Sequence, residues 1–530
     1  MTDSPTIVDR VAVRMYRNIL GDCFLLTITG RADTGRAGEP QTEVKSHIMI
    51  DCGVLQGTPN AGETMRKVVA DVYEHTQNKP LDLIVVTHEH HDHISGFGFA
   101  REVFKPDDAA RKAAEKVWFA WTEDPGDADA QKYQNAYGKA LTALTALAEV
   151  AKVQTQAAED PEAETLLGLA GFTGPLALDG DKKPLRGSRR IYQDLRDWAG
   201  PGGTQYLSPG QILTTPGALG LTTYVLGPPR DDDFLTNALG KTGDTYFAAA
   251  RTEGSGPVLR QDTPFSPRYA WRSDDQIRVL TPSASESEED RIRTTWLHDR
   301  YYRGYSRCTD EDDAPADHMS KDKNHKCAGD FSLHEPQAYR MLDKLERSMF
   351  SNLALRMDNN TNNTSLVLAF DLPGDAGTML FAADAQVGNW QSWFTVKFRD
   401  APDAPAIKLT TAELLGRTRF YKVGHHGSHN ATLTAGLEGM NDDLVAMIPT
   451  DAAFALLQSS AWQMPNPRVD EALQRKTKHR VLRGDIDPAR IVAAVSEQDA
   501  ELGAAFGKRI SQSELWVEYC VYDRSEQEPA

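Results

Sequence analysis

The sequence predicts an α+β protein: a β-rich core drawn from both ends of the chain and carrying two helix-rich insertions. Three observations predict it. Short apolar runs bounded by turn residues crowd the first hundred residues and return from Ser365 onward. Between them lie an alanine-rich stretch with helical spacing and a mixed, charged stretch. No internal repeat of fixed period appears, so the β-rich parts at both ends flank the two insertions.

The first strands are read from Val11, Val13 and Tyr16, then from Cys23 to Ile28 after a Gly21-Asp22 turn. A polar loop, Gly30 to Lys45, leads to a third run, His47 to Ile50, which ends at Asp51-Cys52-Gly53. The spacing predicts a helix over Met65 to His75 and a buried strand over Leu81 to Val86. From Arg101 to Ala170 the character is helical, with Leu141, Leu144, Leu147, Val150 and Val153 about one turn apart, which marks a packing face. Strands are expected again at Gln205 to Leu207 and at Leu221 to Leu226, where Gly227-Pro228-Pro229 ends the run. Later strands are read at Ser365–Phe370, Thr378–Asp384, Phe420–Val423, Leu444–Ile448, Arg480–Leu482 and Leu515–Val521. The expected division is therefore residues 1–100 and 356–530 as the two halves of the core, and 205–229 as further core strands. Residues 101–204 and 230–355 are the insertions.

Length and composition bound the function. At 530 residues the chain calls for several domains or one domain with large insertions. With 58 basic against 76 acidic residues its net charge is −18, which gives no general attraction to nucleic acid or anionic membranes. A bound cation can still reverse the field inside a cleft. No apolar run approaches the roughly 20 residues that span a bilayer, and Met1 to Arg10 has no apolar core of the secretory kind. Five cysteines make no disulfide framework in a chain this long, so a reducing cytoplasm is expected. Cys23, Cys52 and Cys520 read as small buried fillers. Cys308, His318, His325 and Cys327 do not have common zinc-finger spacing, and that region reads as a polar loop.

The chemistry is concentrated in two segments that hold seven of the 14 histidines. His88-Glu89-His90-His91-Asp92-His93 follows directly on the apolar strand ending at Val86. Neutral imidazoles and a carboxylate suit divalent metals such as zinc, manganese or iron. Four donors this close in sequence converge only if the chain turns there, a freedom read from Gly96 and Gly98. The second segment, Gly424-His425-His426-Gly427-Ser428-His429-Asn430, also follows an apolar strand. Paired histidines beside glycine suit a metal ligand together with a proton donor or substrate contact. Asp384 ends a strand, where a buried carboxylate is costly unless paired or metal-bound. Asp51 ends another, and reads as a carboxylate that orients a ligand histidine. Asp22 is as compatible with hairpin chemistry as with the site. Lys422, Arg419 and Arg230 near these motifs are compatible with phosphate.

The ordered set Asp51, His88-x-His90-x-Asp92-His93, Asp384 and His426 resembles the metallo-β-lactamase superfamily. Gly21-Asp22, Asn362-x-x-Ser365-Leu366-Val367-Leu368 and His425-His426-Gly427-Ser428 resemble one branch of it, the hydrolase domain of ComEC-type DNA-uptake proteins and their soluble relatives. The resemblance covers roughly residues 10–100, 205–229 and 360–525. It implies an αββα sandwich with two divalent ions, zinc or manganese, at one edge. His88 and His90 would hold one ion, and Asp92, His93 and His426 the other. Asp384 would bridge them, and His425 would face substrate or act as the acid. The choice between His425 and His426 as ligand stays open at this point. Most dinuclear members carry one more ligand histidine, where this chain has Asn362 and Asn363; Asn362 and water would complete that ion.

The expected activity is metal-dependent hydrolysis by a metal-activated water, with Asp92 and His425 central to the chemistry. The expected target is a phosphodiester, as in a nuclease or nucleotide phosphodiesterase, with a nucleic acid or nucleotide as substrate and no membrane partner. Two other readings compete: a hydrolase of lactones or carbon esters, and a metal-stabilised scaffold subunit of a multi-protein system.

Overall fold

A computed structural model describes residues 6–32, 41–105, 112–135, 176–178, 184–238, 240–241, 243–246, 360–399, 409–458 and 462–526. Two twisted sheets dominate them. The larger runs in the order β16-β17-β1-β2-β3-β4-β5-β8. Its strands are β1 (Thr6–Tyr16), β2 (Cys23–Ala32), β3 (Thr42–Cys52), β4 (Leu81–Val86), β5 (Ala114–Ala120), β8 (Thr204–Leu207), β16 (Ile510–Gln512) and β17 (Trp516–Asp523). A separate hairpin, β6 (Leu176–Leu178) with β7 (Pro184–Arg186), lies between β5 and β8 in sequence. The second sheet has the order β15-β14-β13-β12-β11-β10-β9. It comprises β9 (Ile212–Thr214), β10 (Thr222–Gly227), β11 (Val367–Asp371), β12 (Thr378–Phe381), β13 (Thr418–Lys422), β14 (Val445–Ile448) and β15 (Val481–Arg483).

Three apolar layers hold the sheets. Phe24, Leu26, Ile28, Ile48 and Val85 of the larger sheet meet Leu368, Phe370, Met379, Phe381 and Phe420 of the second between the sheets. The opposite face of the larger sheet carries Leu25, Met49, Ile84 and Val86, covered by Met65, Val68 and Val72 of helix α1 (Ala61–His75) and by Ile94 and Phe97 of helix α2 (His91–Phe99). On the outside of the second sheet, Leu380, Tyr421 and Ile448 pack against Trp390 and Trp393 of helix 387–393 and Leu473 of helix 467–477. The order is helix, sheet, sheet, helix. Because both faces of these strands are covered, their sequences read as nearly continuous apolar runs.

The strand directions place the site. β3, β4 and β5 are mutually parallel, as are β12, β13, β14 and β15, while β2 and β11 run antiparallel to β3 and β12. The ends of β3, β4, β12 and β13 therefore share one edge of the sandwich with the starts of β2 and β11. A backbone bond from Leu366 N to Thr87 O (2.9 Å) joins the two sheets there.

Two expectations need correction. Residues 114–120, placed by sequence in a helical insertion, form β5, paired in parallel with β4 and β8 inside the larger sheet. Alanines flank its Val117-Trp118-Phe119 centre and masked the strand in an alanine-rich stretch. Helix 187–199 likewise packs on that sheet through Tyr192, Leu195 and Trp198. Gly96 and Gly98 do not turn the chain after the histidines, since both lie inside α2. A Cβ at Gly96 would come within 2.5 Å of Cys52 Sγ and Met65 Cε, so glycine there lets α2 lie close on β3 and α1.

The stripe from Leu141 to Val153 and the group Cys308, His318, His325 and Cys327 lie outside the described residues, as does most of 230–355. Cys23, Cys52 and Cys520 are buried free thiols. No helix among the described residues is long and apolar enough to cross a membrane.

Candidate metal centre

The first histidine loop leaves β4 at Thr87, and α2 begins at His91 with His90 as its N-cap. Asp92 and His93 thus sit in the first turn, where the helix dipole favours a carboxylate. Asp22 N donates to Asp92 O, and Gly53 N to Asp22 O (both 2.9 Å), so the β1–β2 turn and the end of β3 clasp this turn. The approach is close enough that a Cβ on Gly53 would lie 2.3 Å from the Asp92 carbonyl carbon.

His88 and His90 approach through Nε2 and Nδ1, which are 3.1 Å apart. Thr87 Oγ1 gives its proton to Asp51 Oδ2 (2.6 Å), so it accepts from His88 Nδ1 at 3.1 Å. That fixes the tautomer: His88 Nε2 carries the lone pair and faces the site. Both histidines stand with Asp384 in one group whose ligand atoms lie within 4.8 Å of one another.

His93 and His426 are set in the same manner. His93 Nδ1 donates to Asp51 Oδ2 (2.7 Å) and His426 Nδ1 to Pro449 O (2.6 Å), which turns Nε2 of each toward the carboxylates of Asp92 and Asp384. His426 Nε2 lies 3.0 Å from Asp92 Oδ2, and His93 Nε2 lies 3.0 Å from Asp384 Oδ2 and 3.8 Å from Asp92 Oδ2. Asp22, His93, Asp384 and His426 form a second group of convergent ligand atoms. Asp384 belongs to both groups.

The Asp384 carboxylate is used unequally. Oδ1 accepts from His425 N (3.1 Å) and faces Lys422 Nζ (3.5 Å). Oδ2 has no hydrogen bond, although His93 Nε2 is 3.0 Å away and His88 Nε2 and His425 Nε2 are each 3.9 Å away. Asp92 Oδ1 and His93 Nε2 are also buried without a hydrogen bond. Buried polar atoms that approach without bonding one another are expensive unless something else satisfies them. Borderline nitrogen and oxygen donors aimed at a common point fit divalent cations.

The charges agree. Asp22, Asp51, Asp92 and Asp384 are all buried, against a single buried lysine among the described residues, Lys422. Burial disfavours the charged form of His93, but Asp384, Asp22, Asp51 and Asp92 outweigh it and raise its pKa well above the ordinary value. Burial opposes ionisation of Asp384, yet His93, His425 and Lys422 hold its pKa well below the carboxylate range. His88 moves the other way, lowered by burial and by His93 and His90.

The second histidine segment divides its pair. His426 joins the ligand group; His425 is in neither group, and nor is Asp92, which reaches the second group through His426 Nε2. Both have left-handed backbones, at φ 45° and 52°, a strained pairing for non-glycine residues that turns the two rings apart. Burial lowers the His425 pKa to about 4, so a neutral imidazole faces the site at neutral pH. That suits a contact to substrate better than a proton donor.

Other residues fall elsewhere. His91 turns away, with Nδ1 on Val54 O at 2.9 Å. Asn362 is buried at the start of the segment leading to β11, and its carbonyl accepts from Ser365 N (3.1 Å). Asn363 is a bracket: its side chain bonds Leu235 O and Asn237 O and accepts from Gln386 N and Asn389 N. Arg419 pairs with Asp443, and Arg230 pairs with Asp127 and lies over Trp121, so neither is a free cation awaiting phosphate. Lys422 is buried against Asp22. Sequence reasoning missed that pair, for which the available signal was a lysine closing an apolar strand beside a histidine loop; a lysine is almost never fully buried unpaired.

An αββα sandwich with histidines and aspartates converging at one edge is a frame that could hold divalent cations. The profile of the Metallo-beta-lactamase superfamily matches residues 41–182, a span that contains Asp51 and the run His88 to His93. Residues 41–182 are thus similar to that superfamily, whose members are mostly hydrolases that bind divalent metals, typically zinc. Among curated proteins and among solved structures, nothing matches the chain.

Proposed function

We propose that the protein is a metal-dependent hydrolase of phosphodiester bonds, acting on a nucleic acid or a nucleotide. The observation that carries the metal reading is the convergence on Asp384 Oδ2, a buried oxygen without a hydrogen bond that ligand nitrogens from both groups approach. His88 and His90 would hold one ion and Asp92, His93 and His426 the other, with Asp384 between them. Zinc or manganese suits this donor set. A divalent cation, when bound, supplies Lewis acidity to the substrate and brings water toward ionisation near neutral pH.

The chain's own residues do the rest. Asp51 and Thr87 hold the imidazoles in one tautomer and orientation. Asp92 joins the two histidine loops, and His425 meets the substrate from a more exposed position than His88, His90, His93 and His426. The phosphodiester choice is supported by Gly21-Asp22, by Asn362-x-x-Ser365 and by His425-His426-Gly427-Ser428, the features that resemble ComEC-type hydrolase domains. With a net charge of −18 the surface at large does not draw a polyanion, so recognition rests on the site itself. A cytoplasmic location belongs to this reading, supported by the free thiols of Cys23, Cys52 and Cys520.

The test is metal content and turnover of a bis-aryl phosphate, with manganese or zinc, for the wild type and Asp92→Ala. Turnover by the wild type and its loss in the variant are expected. A protein that binds metal, is inert on the diester and opens a lactone or carbon ester has the other hydrolytic specificity. A protein whose Asp92→Ala variant folds and keeps its cellular role is a scaffold.

A further inference from the structure

The most heavily buried lysine or arginine of the described residues lies beside the ligand group. Lys422 closes β13, is 1% exposed, and forms an ion pair with Asp22 Oδ2. Its Nζ also donates to Ala383 O at 2.9 Å and stands 3.5 Å from Asp384 Oδ1. A lysine removed from water costs several kcal/mol unless its partners compensate, so these contacts are specific requirements of the fold.

Asp22 and Lys422 have a definite place relative to the ligand atoms. Asp22 approaches the Nδ1 atoms of His93 and His426, at 3.7 Å each. Those are the rear nitrogens, already given to Asp51 and Pro449, whereas the lone pairs at Nε2 point the other way. Asp22 has the ligand type and the proximity to bind a cation, yet it stands on the Nδ1 side of the rings; its Oδ2 is taken by the lysine, while its Oδ1 is buried without a hydrogen bond. Lys422 likewise occupies the Oδ1 side of Asp384, and only Oδ2 is turned toward the histidines.

We propose that Lys422 is a positioning residue that holds Asp22 through Oδ2 on the Nδ1 side of the rings and, together with the His425 N–H, claims Oδ1 of Asp384, so that Asp384 offers the cations a single oxygen and Asp22 is kept from them. The ion pair is a spacer of fixed charge. It stops two neighbouring carboxylates from wrapping a cation with extra oxygens, which would fill the coordination positions a substrate needs. This rests on the metal-centre reading above and adds to it a rule for which carboxylate oxygens take part.

Cobalt(II) titration of the full-length protein tests it, because the visible bands of cobalt weaken and shift as oxygen ligands are added. Asp22→Asn keeps Lys422 engaged with Asp384, so its cobalt spectrum and stoichiometry are expected to equal those of the wild type. Lys422→Met releases Asp22 and leaves the His425 N–H as the one remaining hold on Asp384 Oδ1, so its bands are expected to weaken and shift. A role in packing alone would lower the melting temperature of both variants and leave both spectra as they were, which overturns the proposal. A changed spectrum in Asp22→Asn also overturns it, because Asp22 would then be a ligand in the wild type. Should Lys422→Met fail to fold, Lys422→Gln, which keeps a polar side chain and removes the charge, takes its place: weakened and shifted bands support the proposal, and an unchanged spectrum overturns it. A wild type that takes up no cobalt at all removes the metal-centre reading itself, an outcome distinct from any pattern among the variants.

Discussion

His426 Nε2 and Asp92 Oδ2 lie 3.0 Å apart, although 334 residues separate them in the chain. The contact joins the loop after β13 to the first turn of α2, and so ties one sheet to the other at the edge where the ligands gather. Both residues belong to the second proposed cation position. Asp92→Ala and His426→Ala are each expected to lose one of two bound ions while keeping the ion held by His88 and His90. Elemental analysis of protein dialysed against limiting metal checks this, and retention of both ions by either variant would contradict the assignment.

Asp51 touches no proposed cation but accepts from Thr87 N (2.8 Å), Thr87 Oγ1 (2.6 Å) and His93 Nδ1 (2.7 Å). Carboxylates that orient ligand histidines are typically worth about 10–100-fold in metal affinity. Asp51→Ala is expected to weaken binding within that range, read by competition with a coloured chelator. An unchanged affinity would mean that His93 keeps its orientation without Asp51.

Gly53 has no room for a side chain, since a Cβ would stand 2.3 Å from Asp92 C and 2.4 Å from His93 N. Gly53→Ala should push the first turn of α2 off β3. Overpacking of this kind costs about 1–3 kcal/mol. A lower melting temperature and weaker metal retention are expected together, and calorimetry with metal analysis reads both. A fall in stability with metal content intact would separate the turn from the site.

Far from the ligands, Arg14 is buried with Asp71 and Glu518 and donates to His75 Nδ1 (3.2 Å). That bond requires a neutral His75, whose Nε2 proton then goes to Thr27 Oγ1 (3.1 Å). Burial, then Arg14, lowers the pKa of His75, and burial, then His75, lowers that of its neighbour His47 to about 4. Protons therefore bind the unfolded chain more readily. The stability this provides is complete above the ordinary value of 6.5 and drains away as pH falls toward about 4. For His47 the shift corresponds to at most about 3 kcal/mol. Melting temperature should drop across that window in the wild type and less steeply in His47→Gln; parallel curves for the two proteins would refute the assignment.

Much of the fold was legible because both sheets are covered on both faces, so their strands appear as dense apolar runs. Leu81–Val86 was read with the bounds that β4 has, and the histidine loop after it was visible because the donors are local in sequence. β5 was not legible: its alanine flanks carry helical propensity, and pairing between β4 and β8 overrides it. Gly96 was misread because a glycine that permits close helix packing looks, in sequence, like one that permits a turn.

The sequence by itself determined the donors: which imidazoles and carboxylates stand at strand ends, and that two histidine segments belong together. Only the tertiary structure decided their parts. It turned His426 into the ligand group and kept His425 out of it, put Asp51 behind His93, and buried Lys422 against Asp22. The physical reason is that ligand roles depend on which nitrogen or oxygen remains unbonded. That follows from hydrogen bonds between strands far apart in the chain, which no local pattern records.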